Sequence, residues 1–121
     1  MKPIPYGKQK ITDDDISEII SVLKSDYLTQ GPKVQEFENS FSEYIGAKYS
    51  VAVSNGTAAL HLSILSLDLK PGDKVITSPI SFVASSNCVL YEGGTIDFVD
   101  IDPQTAIIDL ELLEKKLKNS K

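Results

Sequence analysis

The chain has 121 residues, which is enough for one ordinary domain with a hydrophobic core. Its 17 acidic and 12 basic residues give a net charge of -5, which argues against nucleic acid or an anionic membrane as the main partner. No apolar run is long enough to span a bilayer, and one histidine with one cysteine cannot form a conventional zinc site.

Apolar spacing and turn residues predict helices and strands that alternate along the chain. Apolar side chains at helical spacing define the first two helices, and Gly46 ends the second. The run "YSVAVS" is typical of a short buried strand, and the helix that follows is apolar on most sides, so we expect it to be buried as well. In chain order the predicted elements are helix 13–25, helix 33–45, strand 49–54, helix 57–67, strand 74–78, helix 82–91, strand 95–99 and helix 109–117.

The order strand, helix, strand, helix, strand indicates an α/β fold. Right-handed βαβ connections produce a mainly parallel sheet with flanking helices. Such sheets bind ligands at the carboxyl ends of their strands. Residues 54–58, 78–82 and 100–103 each follow a predicted strand, so we expect these three segments to meet at one edge of the sheet.

The segment "SNGTA" lies where the first predicted strand becomes a helix. It fits neither the dinucleotide-binding fingerprint nor the P-loop. The first turn of a helix has unpaired backbone N–H groups, Gly56 removes a side chain there, and Thr57 adds a hydroxyl, so the segment suits a phosphate group. The alternative is a plain turn that the glycine permits. These residues by themselves leave both interpretations open.

The other candidate residues have structural explanations of comparable or greater weight. Phe82 is either an ordinary core residue or an aromatic platform for a planar ligand. The carboxylates of Asp100 and Asp102 suit acid–base catalysis, but the sequence "DIDP" after a strand favours turn formation. His61 on its apolar helix is interpreted as a packed core histidine, and Cys88 as a buried, unreactive thiol.

Two features of the composition bear on location. A single cysteine cannot form an internal disulfide, which suits a reducing compartment. The N-terminal sequence "MKPIPYGKQKITDDD" lacks the apolar middle of a signal peptide. We therefore expect a cytoplasmic protein.

The combination of "LTQGP", "SNGTAALHL", "GDKVITSPISFVAS" and "FVDID" resembles the N-terminal part of sugar aminotransferases of the DegT/StrS type. The resemblance covers nearly the whole chain, from about residue 6 to the last helix. It implies the large domain of a pyridoxal-phosphate enzyme of the aspartate-aminotransferase fold (fold type I). Within the family, "PYGKQ", "SDYLTQGP" and "SPISFVASSN" are most similar to the aminotransferase of the pseudaminic acid pathway.

The resemblance also implies roles for particular residues. It assigns the cofactor phosphate to Gly56, Thr57 and Ala58, and it stacks Phe82 on the pyridine ring. Residues 1–31 become an N-terminal helix and substrate-edge segment, and residues 32–121 an incomplete cofactor-binding large domain. The residues that the resemblance places beside the sugar nucleotide are Tyr6, Asp26, Tyr27, Leu28 and Thr29.

The implied reaction is transfer of an amino group from glutamate to a UDP-linked keto sugar, in a homodimer. The family's Schiff-base lysine lies in a Ser-x-His-x-x-Lys type motif, and no lysine of this chain has that context. The resemblance therefore implies an incomplete portion of the enzyme that is inactive alone, with its catalytic lysine outside this chain. The alternative from another class is a stand-alone, non-catalytic α/β module that binds phosphate or pyridoxal phosphate.

Overall fold

The structure is a computed structural model that describes residues 3–119 of the chain. All five predicted helices and two of the three predicted strands are confirmed within this range, with ends that differ by at most two residues. The elements are α1 (Asp13–Leu23), α2 (Pro32–Ile45), α3 (Gly56–Ser66), β1 (Lys74–Thr77), α4 (Ala84–Tyr91), β2 (Thr95–Phe98) and α5 (Leu110–Asn119).

The chain divides into two compact units, Met1–Ala52 and Val53–Lys121. The first unit contains α1 and α2, and the second contains the sheet with the remaining helices. The predicted functional division into residues 1–31 and 32–121 concerns which segment meets substrate and which meets cofactor, and it stays a prediction.

In the first unit, α1 begins with a capping box. The Thr12 hydroxyl accepts a hydrogen bond from the Asp15 backbone N–H at 3.3 Å, and the Asp15 carboxylate accepts the Thr12 backbone N–H at 2.7 Å. These bonds satisfy two backbone donors that the helix itself leaves unpaired. Lys33 of α2 forms an ion pair with Glu18 of α1 at 3.3 Å.

The capping box makes the stability of α1 depend on acid. The bond from the Thr12 backbone N–H, followed by the bond from its hydroxyl, lowers the pKa of Asp15 from the ordinary 3.8. Because the folded pKa is the lower one, this contribution is present above pH 3.8 and is lost as the pH falls through the folded value. The test is the drop in the denaturant midpoint when the pH is lowered from neutral to 3.8 or below. We expect this drop to be smaller for Asp15→Asn than for the unmodified chain. Asp14→Asn, which leaves the box intact, is the control, and equal acid sensitivity in all three proteins would contradict the prediction.

In the second unit, β1 and β2 form a parallel pair in which Lys74 lies beside Thr95 and Thr77 beside Phe98. The parallel sheet is therefore confirmed. Helix α4 connects the two strands and packs against both of them and against α3. The buried core consists of Ala84, Cys88, Val89 and Val99.

The third predicted strand, residues 49–54, is wrong. This segment lies outside every strand of the described residues. Its polar groups bond to α2 instead: the Ala52 N–H donates to the Glu38 carboxylate at 2.8 Å, and the Ser42 hydroxyl donates to that of Ser50 at 2.7 Å. A strand requires a neighbouring strand that pairs with its backbone, and within the described residues only β1 and β2 pair in a sheet. Tyr49 is 77% exposed, so the expected burial also fails.

The expected burial of α3 is wrong as well. None of its residues is buried, and Leu62 and Leu65 are 47% and 50% exposed. A helix with apolar residues on all sides is buried only when neighbours cover every side. Within its unit α3 packs on α4, which covers one side.

Candidate functional site

The candidate phosphate site is the first turn of α3. Asn55 is the N-cap, and its side-chain oxygen accepts the Ala58 backbone N–H at 2.9 Å, while the Asn55 carbonyl accepts the Ala59 N–H at 3.1 Å. Within residues 3–119 the N–H groups of Gly56 and Thr57 have no hydrogen-bond partner. Two free donors thus lie at the positive end of a helix dipole, where an anion is stabilised.

Gly56 leaves this turn open. A Cβ built at Gly56 meets no heavy atom of the described residues within 4 Å. Gly56 is also absent from the glycines with positive φ, so the turn does not require a glycine for its backbone conformation. The turn therefore forms without needing a glycine at position 56, and a group approaching from outside the chain would benefit from the missing side chain. The two interpretations of the segment, a plain turn and a phosphate site, both stay predictions.

Asn55 is the capping residue of the candidate site, and the sequence interpretation missed it. Its side chain takes the Ala58 N–H, so the donors left for a ligand are those of Gly56 and Thr57 together with the Thr57 hydroxyl. The signal was present in the sequence, because asparagine before a glycine and a helical run is a preferred N-cap.

Phe82 lies in the loop that follows β1, and its ring is 73% exposed. The core interpretation of Phe82 is therefore wrong. The ring lines a pocket of about 220 Å³ together with Ser78, Ser81 and Phe98. The Ser81 and Ser85 hydroxyls lie 3.1 Å apart beside it. Residues 54–58 are not among those that line this pocket, so it does not join the two predicted parts of the cofactor site.

Two of the three predicted loop segments lie at the carboxyl edge of the sheet. Residues 78–82 follow β1 and residues 100–103 follow β2, and because these strands are parallel both segments leave from the same edge. Residues 54–58 follow no strand, so their place at this edge stays a prediction.

The carboxylates of Asp100 and Asp102 accept hydrogen bonds from backbone N–H groups close by in the sequence. The Asp102 carboxylate accepts the backbone N–H of Gln104 at 2.7 Å, and the Asp100 carboxylate accepts that of Ile101 at 2.8 Å. The turn interpretation of the "DIDP" segment is confirmed, since both carboxylates bond to nearby backbone.

His61 is not a core residue. Its side chain is 41% exposed, and its Nε2 lies 2.7 Å from the Glu92 carboxylate. The imidazole also meets the edge of the Tyr91 ring at 5.1 Å between centroids. The sequence interpretation missed this contact, because 31 residues separate the two partners. Cys88 is 2% exposed, which confirms the buried thiol.

The predicted substrate residues lie on exposed parts of the first unit. Tyr6 is fully exposed, and residues 26–29 form the irregular connection between α1 and α2. The Tyr27 N–H donates to the Ser25 hydroxyl at 3.3 Å, and Leu28 extends an apolar groove along α1 of about 390 Å³. Their roles towards a sugar nucleotide stay predictions.

The sequence matches the DegT/DnrJ/EryC1/StrS aminotransferase family over residues 9–121. The chain belongs to this family. Within residues 3–119 we find no helix with the length and apolar character that crossing a bilayer demands.

Two curated relatives are named for polysaccharide biosynthesis and for transamination of a UDP-linked amino sugar. The chain is 43% identical over 111 residues to the spore coat polysaccharide biosynthesis protein SpsC of Bacillus subtilis, covering 92% of this chain and 28% of SpsC. It is 38% identical to the UDP-4-amino-4,6-dideoxy-N-acetyl-beta-L-altrosamine transaminase of Campylobacter jejuni, covering 97% of this chain and 31% of that enzyme. The chain thus spans less than a third of the length of these relatives.

Solved structures in the family share the fold. Spr1654 of Streptococcus pneumoniae, assigned as a sugar aminotransferase, has a pyridoxal-phosphate form that is 36% identical, with a TM-score of 0.82 over 93% of this chain and 29% of that chain. A GDP-4-keto-6-deoxymannose-3-dehydratase with a trapped PLP-glutamate geminal diamine is 33% identical, with a TM-score of 0.86 over 98% of this chain and 31% of that chain. The predicted fold of a pyridoxal-phosphate aminotransferase is confirmed, and pyridoxal phosphate is the cofactor of the family.

Proposed function

We propose that this chain supplies the cofactor-phosphate site and part of the substrate wall of an enzyme that transfers an amino group to a nucleotide-linked keto sugar. The observation that carries the proposal is the first turn of α3. There, among the described residues, the N–H groups of Gly56 and Thr57 are unpaired, and the space that a Cβ of Gly56 would occupy is open to 4 Å. Membership of a sugar aminotransferase family supports the reaction class.

The residues of this chain fit a phosphate and an aromatic ring. The Gly56 and Thr57 N–H groups and the Thr57 hydroxyl donate to phosphate oxygens, and Ala58 keeps the turn free of bulk. Phe82 offers an exposed ring face for stacking. When bound, pyridoxal phosphate supplies the electron sink that lets an amino group move between two carbonyl compounds.

The proposed substrates are a UDP-linked keto sugar and glutamate. The Campylobacter jejuni relative is named for a UDP-linked amino sugar, which supports the sugar, and the trapped PLP-glutamate adduct of the dehydratase supports the donor. Tyr6, Asp26, Tyr27, Leu28 and Thr29 border the sugar nucleotide in this proposal. A place in the pseudaminic acid pathway belongs to the same proposal, with the 38% identity to the altrosamine transaminase as its support.

The catalytic lysine lies outside this chain in the proposal. None of the 12 lysines stands in a Ser-x-His-x-x-Lys context, so we propose that the chain alone binds the cofactor phosphate without transaminating. We further propose a cytoplasmic homodimer. The exposed apolar side chains of α3 support an association that covers them.

Calorimetric titration of inorganic phosphate and of pyridoxal phosphate into the chain tests the proposed site. Gly56→Val puts a β-branched side chain into the open space at this turn, where it should crowd an approaching anion. It should weaken both ligands on the order of tenfold, as for loss of one hydrogen bond to a charged group. Phe82→Ala should weaken pyridoxal phosphate by about 1 kcal/mol, roughly fivefold, and leave inorganic phosphate unchanged, because stacking acts only on the ring.

Two variants serve as matched controls for this titration. Gly7→Val adds the same side chain at another glycine whose Cβ position is open. Ile80→Ala removes an apolar side chain that is 66% exposed from the loop that carries Phe82. Neither should alter binding. If Gly56→Val changes neither affinity, the segment is only a turn, and if Phe82→Ala weakens both ligands equally, the ring is not a stacking platform.

A further inference from the structure

The hydrogen bond between His61 of α3 and Glu92 at the end of α4 is not used by the proposed chemistry. Its two atoms, His61 Nε2 and Glu92 Oε1, lie 2.7 Å apart, and both side chains are partly buried. We propose that this pair positions the phosphate site: it fixes the rotation of α3 about its own axis and thereby the direction of the Thr57 hydroxyl. This inference rests on the proposed function, because the hydroxyl matters only if the turn binds phosphate.

Apolar contacts alone select the rotation of α3 only weakly: its half-buried residues, Ala58, His61 and Ile64, lie on one face, and none of them is fully buried. Its alanine, leucine and isoleucine side chains are spread around the whole circumference of the helix, and none of its residues is buried. Burial of apolar surface is non-directional and scales with area. Turning α3 against α4 brings other apolar side chains into the contact, so a directional contact adds to the selection of one rotation.

His61 supplies that directional contact. The Ser63 and Ser66 hydroxyls donate to backbone carbonyls of α3 itself, at 2.8 and 2.7 Å. The Asn55 cap is likewise local to the first turn. Among the residues that the structure describes, the His61–Glu92 bond is the sole polar side-chain contact from α3 to another element.

Glu92 is a firm anchor for this contact. It directly follows α4, whose residues Ala84, Cys88 and Val89 form most of the buried core. Its backbone N–H donates to the Val89 carbonyl at 3.3 Å, which holds the end of the helix. The bond to Glu92 therefore holds α3 at a fixed rotation relative to α4, the best-packed element of the unit.

Thr57 is the residue that this rotation moves. Thr57 and His61 are four positions apart in α3, so they lie on the same face, one turn from each other. A rotation that breaks the His61–Glu92 bond swings the Thr57 side chain by the same angle. The backbone N–H groups of the first turn point along the axis and respond less, so the hydroxyl is the group most sensitive to the pair.

Inorganic phosphate titrated into variants of the pair tests this positioning role. His61→Phe keeps a ring against Tyr91 and removes the nitrogen, and Glu92→Met keeps the chain length and removes the acceptor. Each should lower phosphate affinity about threefold to tenfold, and the double variant by no more than either single one, because one shared bond is lost. His61→Gln, whose amide can donate to Glu92, should recover part of the affinity. Ser63→Ala is the control on the same helix and should change nothing.

Each outcome of this experiment decides between named alternatives. Thermal unfolding of every variant separates loss of folding from loss of positioning, and the Glu92→Met variant carries the test if His61→Phe fails to fold. If the variants unfold at lower temperature but bind phosphate like the unmodified chain, the pair is only structural and the inference is wrong. If the unmodified chain binds phosphate and Gly56→Val weakens that binding as expected while the pair variants do not respond, the proposed function stands and this inference alone fails. Absence of binding to the unmodified chain overturns both.

Discussion

Gly94→Ala should destabilise the second unit by about 1–3 kcal/mol, the usual cost of forcing an extra methyl group into a packed core. A Cβ at Gly94 would lie 2.7 Å from Leu69 Cδ2 and 2.8 Å from Val89 Cγ1, closer than carbon atoms approach in proteins. Leu69 has room to adjust, but Val89 is fully buried and its backbone carbonyl lies 3.3 Å from the same point. The clash therefore displaces α4 from the start of β2. The measurement is the denaturant midpoint of the chain, followed by circular dichroism.

The second unit provides a matched control for this substitution. Gly56→Ala adds the same methyl group at a position where no heavy atom lies within 4 Å of the Cβ. Neither Gly56 nor Gly94 has a positive φ. The stability of Gly56→Ala should be unchanged or rise by up to about 1 kcal/mol, because nothing obstructs the methyl group and alanine is the better helix former. If Gly94→Ala and Gly56→Ala gave the same midpoint, the predicted contact with Val89 would be refuted.

The sequence predicted most of the fold because most of its elements are local. Apolar spacing, caps and breakers act over a few residues, and they placed all five helices to within two residues of their observed ends. The parallel pairing of β1 and β2 followed from the connecting helix, since a βαβ connection permits little else.

Features that depend on distant partners were not predictable. The sequence "YSVAVS" has the residues of a strand, but its Ala52 N–H donates to the Glu38 carboxylate of α2 and no strand of the described residues pairs with it. The apolar composition of α3 predicts burial only if neighbours exist on every side. The spacing of apolar residues shows which side chains of a segment could be buried. It does not show which other element, if any, packs against them.

The candidate site shows the same division. The five consecutive residues "SNGTA" were enough to predict the open turn at Gly56. The sequence also indicates that Asn55 caps the helix and pairs with the Ala58 N–H, because asparagine is a preferred N-cap. The His61–Glu92 contact was not predictable, because no local rule pairs residues 31 positions apart.

Gly31→Ser should destabilise the first unit by about 1–3 kcal/mol, although helix-capping preferences favour serine at this position. Gly31 is the N-cap of α2, and its φ of -79° is open to any residue, so backbone conformation does not require glycine. The requirement is steric. A Cβ at Gly31 would lie 2.7 Å from the Tyr27 Cβ, which is bonded directly to the backbone and has no freedom to swing away.

Gly31→Ser therefore combines a favourable helix cap with an unfavourable steric contact. Serine as an N-cap gains only a few tenths of a kcal/mol over glycine, whereas the contact with Tyr27 forces the connection between α1 and α2 to open. Steric overlap should win, and the denaturant midpoint of the helical signal should fall. Gly7→Ser, at a glycine with open space around its Cβ position, is the matched control and should leave the midpoint unchanged. A Gly31→Ser protein as stable as the unmodified chain would mean that the connection relaxes freely. Tyr27 and Leu28 would then be held too loosely to form a wall for a sugar nucleotide.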